Sequence, residues 1–411
     1  MLLVATEDNI VQAFDAATGN ELWRRSVGNP VRRSLLPCGN INPLGITGTP
    51  VIDPSTEGIY FDAAVDRANG PRHEVFGLSL KDGSNLPGWP IDVSDALQRL
   101  GRYFDPRTQN QRAAVSLLEG TIYVAFGGHF GDCGDYHGWV VGLSLHDPGK
   151  VISFETRARG GGIWAPGGLS VVAHDIFFAT GNTFGAGTWS DGEAVFRVGP
   201  DLRYISNKQS YFAPADWKIL DAHDEDLGGS NPLPINVPRP GGDQAPILAL
   251  GKDRKAYLLD RKDLGGIGGE LAGASLSEIR IMTSPAAYPV GDDIFVAFQA
   301  PGTHCPGPSK ANGLTVLKIK GGSPPSMNTA WCGSLSGRGS AIATTTNGHS
   351  DPIVWILGAE GDNRLHAFRG DTGEPIVTSE PLSGLHHFQT LIATRDRLYI
   401  GTDGRIYVFR F

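Results

Sequence analysis

The stretch Leu2-Leu3-Val4-Ala5-Thr6, Ile10-Val11-Gln12-Ala13-Phe14, Asp15-Ala16-Ala17-Thr18-Gly19, Glu21-Leu22-Trp23 decides the fold. Two apolar runs flank a polar break, and an Asp/Gly turn leads into a third run. Asp supplies a side-chain hydrogen bond to the turn and Gly supplies the positive φ, so the reading is strand, turn, strand, turn, strand. Looser copies recur. Phe76-Gly77-Leu78-Ser79-Leu80 precedes Lys81-Asp82-Gly83, Val141-Gly142-Leu143-Ser144-Leu145 precedes Asp147-Pro148-Gly149, and Leu365-His366-Ala367-Phe368 precedes Asp371-Thr372-Gly373.

Laying four strands per unit over the chain places second strands at 2–7, 58–65, 121–128, 175–180, 247–251, 293–300, 353–358 and 397–402. Third strands follow at 10–14, 74–80, 139–145, 194–198, 256–260, 314–319, 364–368 and 405–409. First strands fall only near 46–53, 113–118, 167–172, 231–237, 283–289, 340–346 and 388–394. Fourth strands also number seven. Blocks of this kind predict an all-β protein, a single eight-bladed propeller of four-stranded antiparallel blades over residues 1–411. Its first blade lacks the inner strand and its last blade the outer one, and both are expected from residues upstream of Met1. A large β-sandwich, or two smaller β domains, is the competing arrangement. Segments 29–44, 94–110 and 214–230 exceed plain blade connections and are expected to form long rim loops.

Composition agrees. There are 56 glycines and 28 prolines in 411 residues, against a usual share of about 12%. That disfavours long helices, while 40% apolar residues provide a large core. The net charge of −8, with no dense Lys/Arg block, argues against a nucleic-acid partner. No apolar run reaches transmembrane length. The apolar start stops at Glu7 without a basic region, so no signal peptide is read in this chain. A monomer is expected.

The unit from Ala13 to Trp23 resembles the tryptophan-docking repeat of pyrroloquinoline-quinone (PQQ) type propellers, the superfamily of quinoprotein alcohol dehydrogenases and of the outer-membrane assembly lipoprotein propeller. Gly45-Ile46-Thr47-Gly48-Thr49-Pro50-Val51-Ile52-Asp53, Tyr136-His137-Gly138-Trp139-Val140, Gly161-Gly162-Ile163-Trp164 and Phe178-Ala179-Thr180-Gly181-Asn182 are similar to its uncharacterised bacterial branch. Asp224-Glu225-Asp226-Leu227-Gly228 and Tyr257-Leu258-Leu259-Asp260-Arg261 complete the set. The resemblance implies eight blades, with Trp23 and Trp89 packed between neighbours. It also implies where quinoprotein chemistry would sit, and there the chain departs. No two cysteines are adjacent, Asn182 matches only loosely, and Arg197 is not followed by the expected Asp base. PQQ is therefore not an expected cofactor. No Cys-x-x-Cys-His attaches a haem.

Other constellations could carry chemistry. His129, Asp132, Asp135 and His137 crowd nine residues of one loop and could ligate a metal or act as acid and base. The plainer reading is a hydrogen-bonded loop. Gln111, Arg112, Trp164, His386, His387 and Gln389 are placed where they could face the channel mouth, with ordinary packing as the alternative. Asp221, Asp224 and Asp226 suggest a short calcium loop without the full EF-hand spacing, or an Asp-rich turn. Cys305 and Cys332 flank one third strand, where a bridge is easy, leaving Cys38 and Cys133. Two bridges suit an exported protein, and four buried thiols are the other option. P-loop, Rossmann, zincin and α/β-hydrolase motifs are missing.

The expectation is an exported bacterial binding or scaffold module, periplasmic or extracellular in its native precursor. It would hold a small molecule, a glycan or a protein through rim loops and channel mouth. The alternative is an enzyme with a site at that mouth, of PQQ/calcium-dependent oxidoreductase type or of another chemistry.

Overall fold

The computed structural model describes residues 1–239, 241–306 and 313–410. Eight blades, each built on an antiparallel hairpin, follow one another along the chain. Their middles are eight hairpins, from Leu2–Ala5 with Ile10–Phe14 to Arg397–Thr402 with Arg405–Arg410. The first blade has three strands and no first strand, and the last has three strands and no fourth. Two short α-helices, Val93–Arg99 and Trp217–His223, are the only α-helices among the described residues. Asp92 caps the first, its carboxylate accepting from the Asp95 amide at 2.9 Å.

First strands are shorter than the sequence predicts. The one expected over 46–53 is Val51–Asp53, and the one over 388–394 is Ile392–Ala393. At the first of these, the chain ahead of Val51 is packed closely on a side chain: a Cβ on Gly48 would stand 2.3 Å from Gln111 Oε1.

The chain divides into two compact units. The first holds residues 1–206 and 216–222. In its second blade, Ile59, Phe61, Ala63 and Val65 pack with Val11 of the first blade. Tyr60 and Val75 turn the other way, joining Ile122, Val124 and Phe126 of the third. Both blade faces are thus buried, which is why these strands read as nearly continuous apolar runs. Trp23 of the first blade donates its indole N–H to Leu80 O at 2.9 Å. Its ring lies over Gly83, where a Cβ would stand 2.7 Å away. Trp89 joins the core between the second and third blades and meets Tyr60 edge-on at 5.3 Å. Cys38 and Cys133 form a disulfide that ties the segment after the first blade to the His/Asp loop.

The second unit holds residues 207–215 and 223–411. Tyr211–Ala213 pairs in parallel with Gly266–Ile267. Separate cores lie between the fifth and sixth, sixth and seventh, and seventh and eighth blades. Trp331 repeats the Trp23 arrangement. Its N–H donates to Gly370 O at 2.8 Å, and its ring lies over Gly373 of the Asp371-Thr372-Gly373 turn. Cys305 and Cys332 form the second disulfide.

Candidate functional site

In the first unit the sequence-predicted residues are mostly bonded to structural partners, several of them outside their own loop. The loop follows the strand Thr121–Gly128, whose final glycines let aromatic rings approach. A Cβ on Gly128 would stand 2.4 Å from the Tyr136 ring, and one on Gly127 2.6 Å from Trp164. Tyr136 donates its hydroxyl to Asp132 at 2.7 Å, while Arg159 reaches the carbonyls of Asp132 and Gly134. His137 Nδ1 donates to Thr156 O at 2.9 Å, and its Nε2 lies 3.9 Å from the exposed Asp135. His129 is buried. Burial, with the charge of His73 adding to it, pushes its pKa down to about 4, so it is neutral at physiological pH. Arg112 donates to Trp164 O at 2.9 Å, with its guanidinium 6.0 Å from the ring. Gln111 donates to Ala113 O at 2.5 Å, and its buried Oε1 has no partner among the described residues. The structure thus joins Gln111, Arg112 and Trp164 in one strip and spreads the His/Asp loop over separate partners.

One pair in this unit was not foreseen from the sequence. Asp62 and His73, each 1% exposed, meet at 2.7 Å through His73 Nδ1. The other ring nitrogen faces Gln109 O at 3.0 Å. The rings of Phe104 and Phe126 close over His73 edge-on. Gln109 in turn grips the loop. With the amide assigned the orientation that satisfies its neighbours, its nitrogen donates to Gly127 O and His137 O, and its oxygen accepts from His137 N.

Asp221 accepts from the Thr183 amide and hydroxyl at 2.8 and 2.6 Å. In the second unit Asp224 and Asp226 instead take the ammonium of Lys252, and Asp224 also faces Arg280. The acidic run is thus neutralised by lysine and arginine. Among the described residues no three His, Cys, Asp or Glu side chains are grouped to hold a metal ion. The cysteines are committed to bridges between distant residues, and Arg197 is paired with Asp175 at 3.0 Å. This donor set does not fit a calcium-bound quinone.

An accessible cluster of titratable groups lies in the second unit. His386, His387 and Gln389 sit in the connection into the eighth blade. Glu360 belongs to the hairpin turn of the seventh blade and Asp403 to that of the eighth. Glu360 Oε1 accepts from His387 Nδ1 at 2.8 Å. His386 Nε2 lies 3.0 Å from both Asp403 oxygens, and its Nδ1 lies 3.7 Å from Glu360. Gln389 Oε1 accepts from the His386 amide at 3.1 Å. Desolvation works against the Glu360 carboxylate, but the hydrogen bonds from His387 and the neighbouring histidines hold it below the ordinary carboxylate range. The backbone is strained here. Glu360 has φ +58° and Phe388 φ +66°, a bulky residue in the left-handed region. Phe388 is pinned by a hydrogen bond from its N–H to Arg338 O, and its carbonyl accepts from Ser340 Oγ. Its ring meets His387 edge-on at 4.5 Å. Both ring nitrogens of His386 thus face carboxylates. His387 has Nδ1 fixed by Glu360 and, among the described residues, no partner on Nε2, on a side chain 39% exposed. A carboxylate on Nδ1 fixes the tautomer that leaves an Nε2 lone pair available.

Among solved structures, quinohemoprotein alcohol dehydrogenase ADHIIG from Pseudomonas putida HK5 matches with TM-score 0.64 and 14% identity, over 97% of this chain and 67% of that one. A europium-containing methanol dehydrogenase matches with TM-score 0.59 and 13% identity, over 97% and 78%. The fold is that of the quinoprotein-like eight-bladed propellers. BamB from Moraxella catarrhalis shares this propeller with TM-score 0.56 and 12% identity, over 100% and 91%. No family model matches the propeller's sequence, and no curated protein matches it. No helix among the described residues is long and apolar enough to cross a membrane.

Proposed function

We propose that this quinoprotein-like propeller acts as an enzyme on a small hydroxyl-bearing molecule at the rim loops of its second unit. His387 Nε2 takes the hydroxyl proton, and Glu360 holds the imidazole in the required tautomer. The observation that carries this reading is the 2.8 Å Glu360–His387 bond beside an open Nε2. The left-handed Phe388 supports it, since backbone strain concentrates where geometry must be held. The match to dehydrogenase folds is supporting context, although the donor set leaves no step to assign to a quinone.

The test uses two panels on purified protein: chromogenic esters, which report an activated water, and dye-coupled oxidation of alcohols, with and without added PQQ and Ca²⁺. Turnover that falls about 100-fold in His387→Ala supports the reading. Turnover in neither panel, or a His387→Ala variant as active as the parent, removes it.

A binding module that works through rim loops is the second reading. It is favoured by the first unit, where His137, Asp132 and Arg112 are all committed to structural bonds. Saturable binding on a glycan array without turnover would select it. The two disulfides support an oxidising, periplasmic or extracellular setting for the native protein.

A further inference from the structure

The buried Asp62–His73 pair has a hydrogen-bonding requirement that only one proton count meets. His73 Nδ1 faces Asp62 Oδ2 at 2.7 Å, and Nε2 faces the Gln109 carbonyl at 3.0 Å. The carbonyl can only accept. Nε2 must therefore carry a hydrogen, and a second is needed between Nδ1 and the carboxylate. A neutral ring beside an ionised Asp62 can supply one of the two contacts, never both. We infer that Asp62 and His73 form a proton-held latch that fixes Gln109, and through it the His129–His137 loop, and that loss of the shared proton releases this loop.

The mechanical link is continuous. His73 holds the Gln109 backbone, and the Gln109 amide holds the His137 N–H and carbonyl. The Cys38–Cys133 disulfide anchors the same loop at its middle, so release is a local loosening and not a detachment. The ionisable surroundings are few. Glu74, neutralised by Arg67 at 2.6 Å, acts on Asp62. Asp92 acts on His73 and is itself 3.7 Å from Arg72. His129 is neutral beside the pair. Burial by itself draws the imidazolium down. The Asp62 charge and the bonds to Asp62 and Gln109 outweigh it and hold His73 above the ordinary histidine range. Burial likewise raises Asp62, so the two titrate as a unit. The latch is closed below the ordinary histidine range and opens as pH rises through the raised value.

Two readouts on the full chain test this without any ligand, so their outcome is separate from that of the proposed enzymatic site. Nitrogen and carboxyl-carbon NMR on labelled protein at pH 6, with His73→Gln for assignment, should locate one proton between Nδ1 and Asp62 and another on Nε2. An unprotonated Nδ1 beside an ionised Asp62 overturns the latch. Amide exchange at His137, corrected for the chemical rate, should speed up about tenfold between pH 6 and pH 9, the loss of one hydrogen bond. Asp62→Asn donates an amide N–H to neutral His73 and has no proton to lose, so it should show no such change. Equal pH dependence in the variant also overturns the latch. If the variant does not fold, the wild-type NMR measurement decides alone.

Discussion

Replacing Trp331 by Ala tests the junction between the sixth and seventh blades. The indole is 4% exposed. It lies over Gly373 and shares the Gly370 carbonyl with the Tyr288 hydroxyl, at 2.8 and 2.9 Å. Truncating a side chain this buried removes its transfer free energy and leaves a cavity, together about 3–5 kcal/mol. Trp331→Phe keeps most of the apolar area and removes one donor. Because Gly370 O retains Tyr288, that loss should be only about 1 kcal/mol. The same truncation at the half-buried Trp23 should cost about 2 kcal/mol. Urea unfolding with both disulfides intact, followed by circular dichroism, measures all three. A Trp331→Ala loss below about 1 kcal/mol, or a Phe variant as damaged as the Ala variant, would refute the docking argument.

Other outcomes follow from the same geometry. His129 is held neutral with its pKa near 4, so the unfolded chain gains a proton first as pH falls. Stability should then drop between the ordinary histidine value and about 4, by up to roughly 3 kcal/mol, and His129→Gln should abolish most of that drop in a pH series of unfolding midpoints. The two bridges close loops of 95 and 27 residues, so loop entropy predicts losses of about 4–5 and about 3.5 kcal/mol for the corresponding double Ser variants. Calorimetry should rank Cys38/Cys133 above Cys305/Cys332. Lys252→Met removes the ammonium that neutralises the buried Asp226 and should cost about 3 kcal/mol, whereas added Ca²⁺ should leave the wild-type melting temperature unchanged.

The hairpins were legible because apolar alternation and Asp/Gly turns are local signals. The starts of first strands were not, because packing such as that of Gln111 on Gly48 joins residues far apart in the chain. Asp62 was hidden inside the predicted strand 58–65, and His73 stood one residue ahead of the predicted strand 74–80. Counting outward from the two-residue turn Ala68-Asn69 would have found them. The register opposes Asp62 to Val75 and Ala64 to His73, which makes the pair diagonal neighbours on one face. His386, His387 and Gln389 were picked out in sequence, but Glu360 and Asp403 were not. Those carboxylates lie 27 and 17 residues away in separate turns, and no spacing rule connects them.

The docked indoles have an optical consequence. Trp23 belongs to the first unit and is partly wetted, while Trp331 belongs to the second and is nearly dry. Their emission should differ in colour. Chains that keep one or the other, the remaining tryptophans replaced by Phe, would report each unit by its own light. Coincident or staggered fluorescence transitions would then tell whether the two units melt as one cooperative body or in turn.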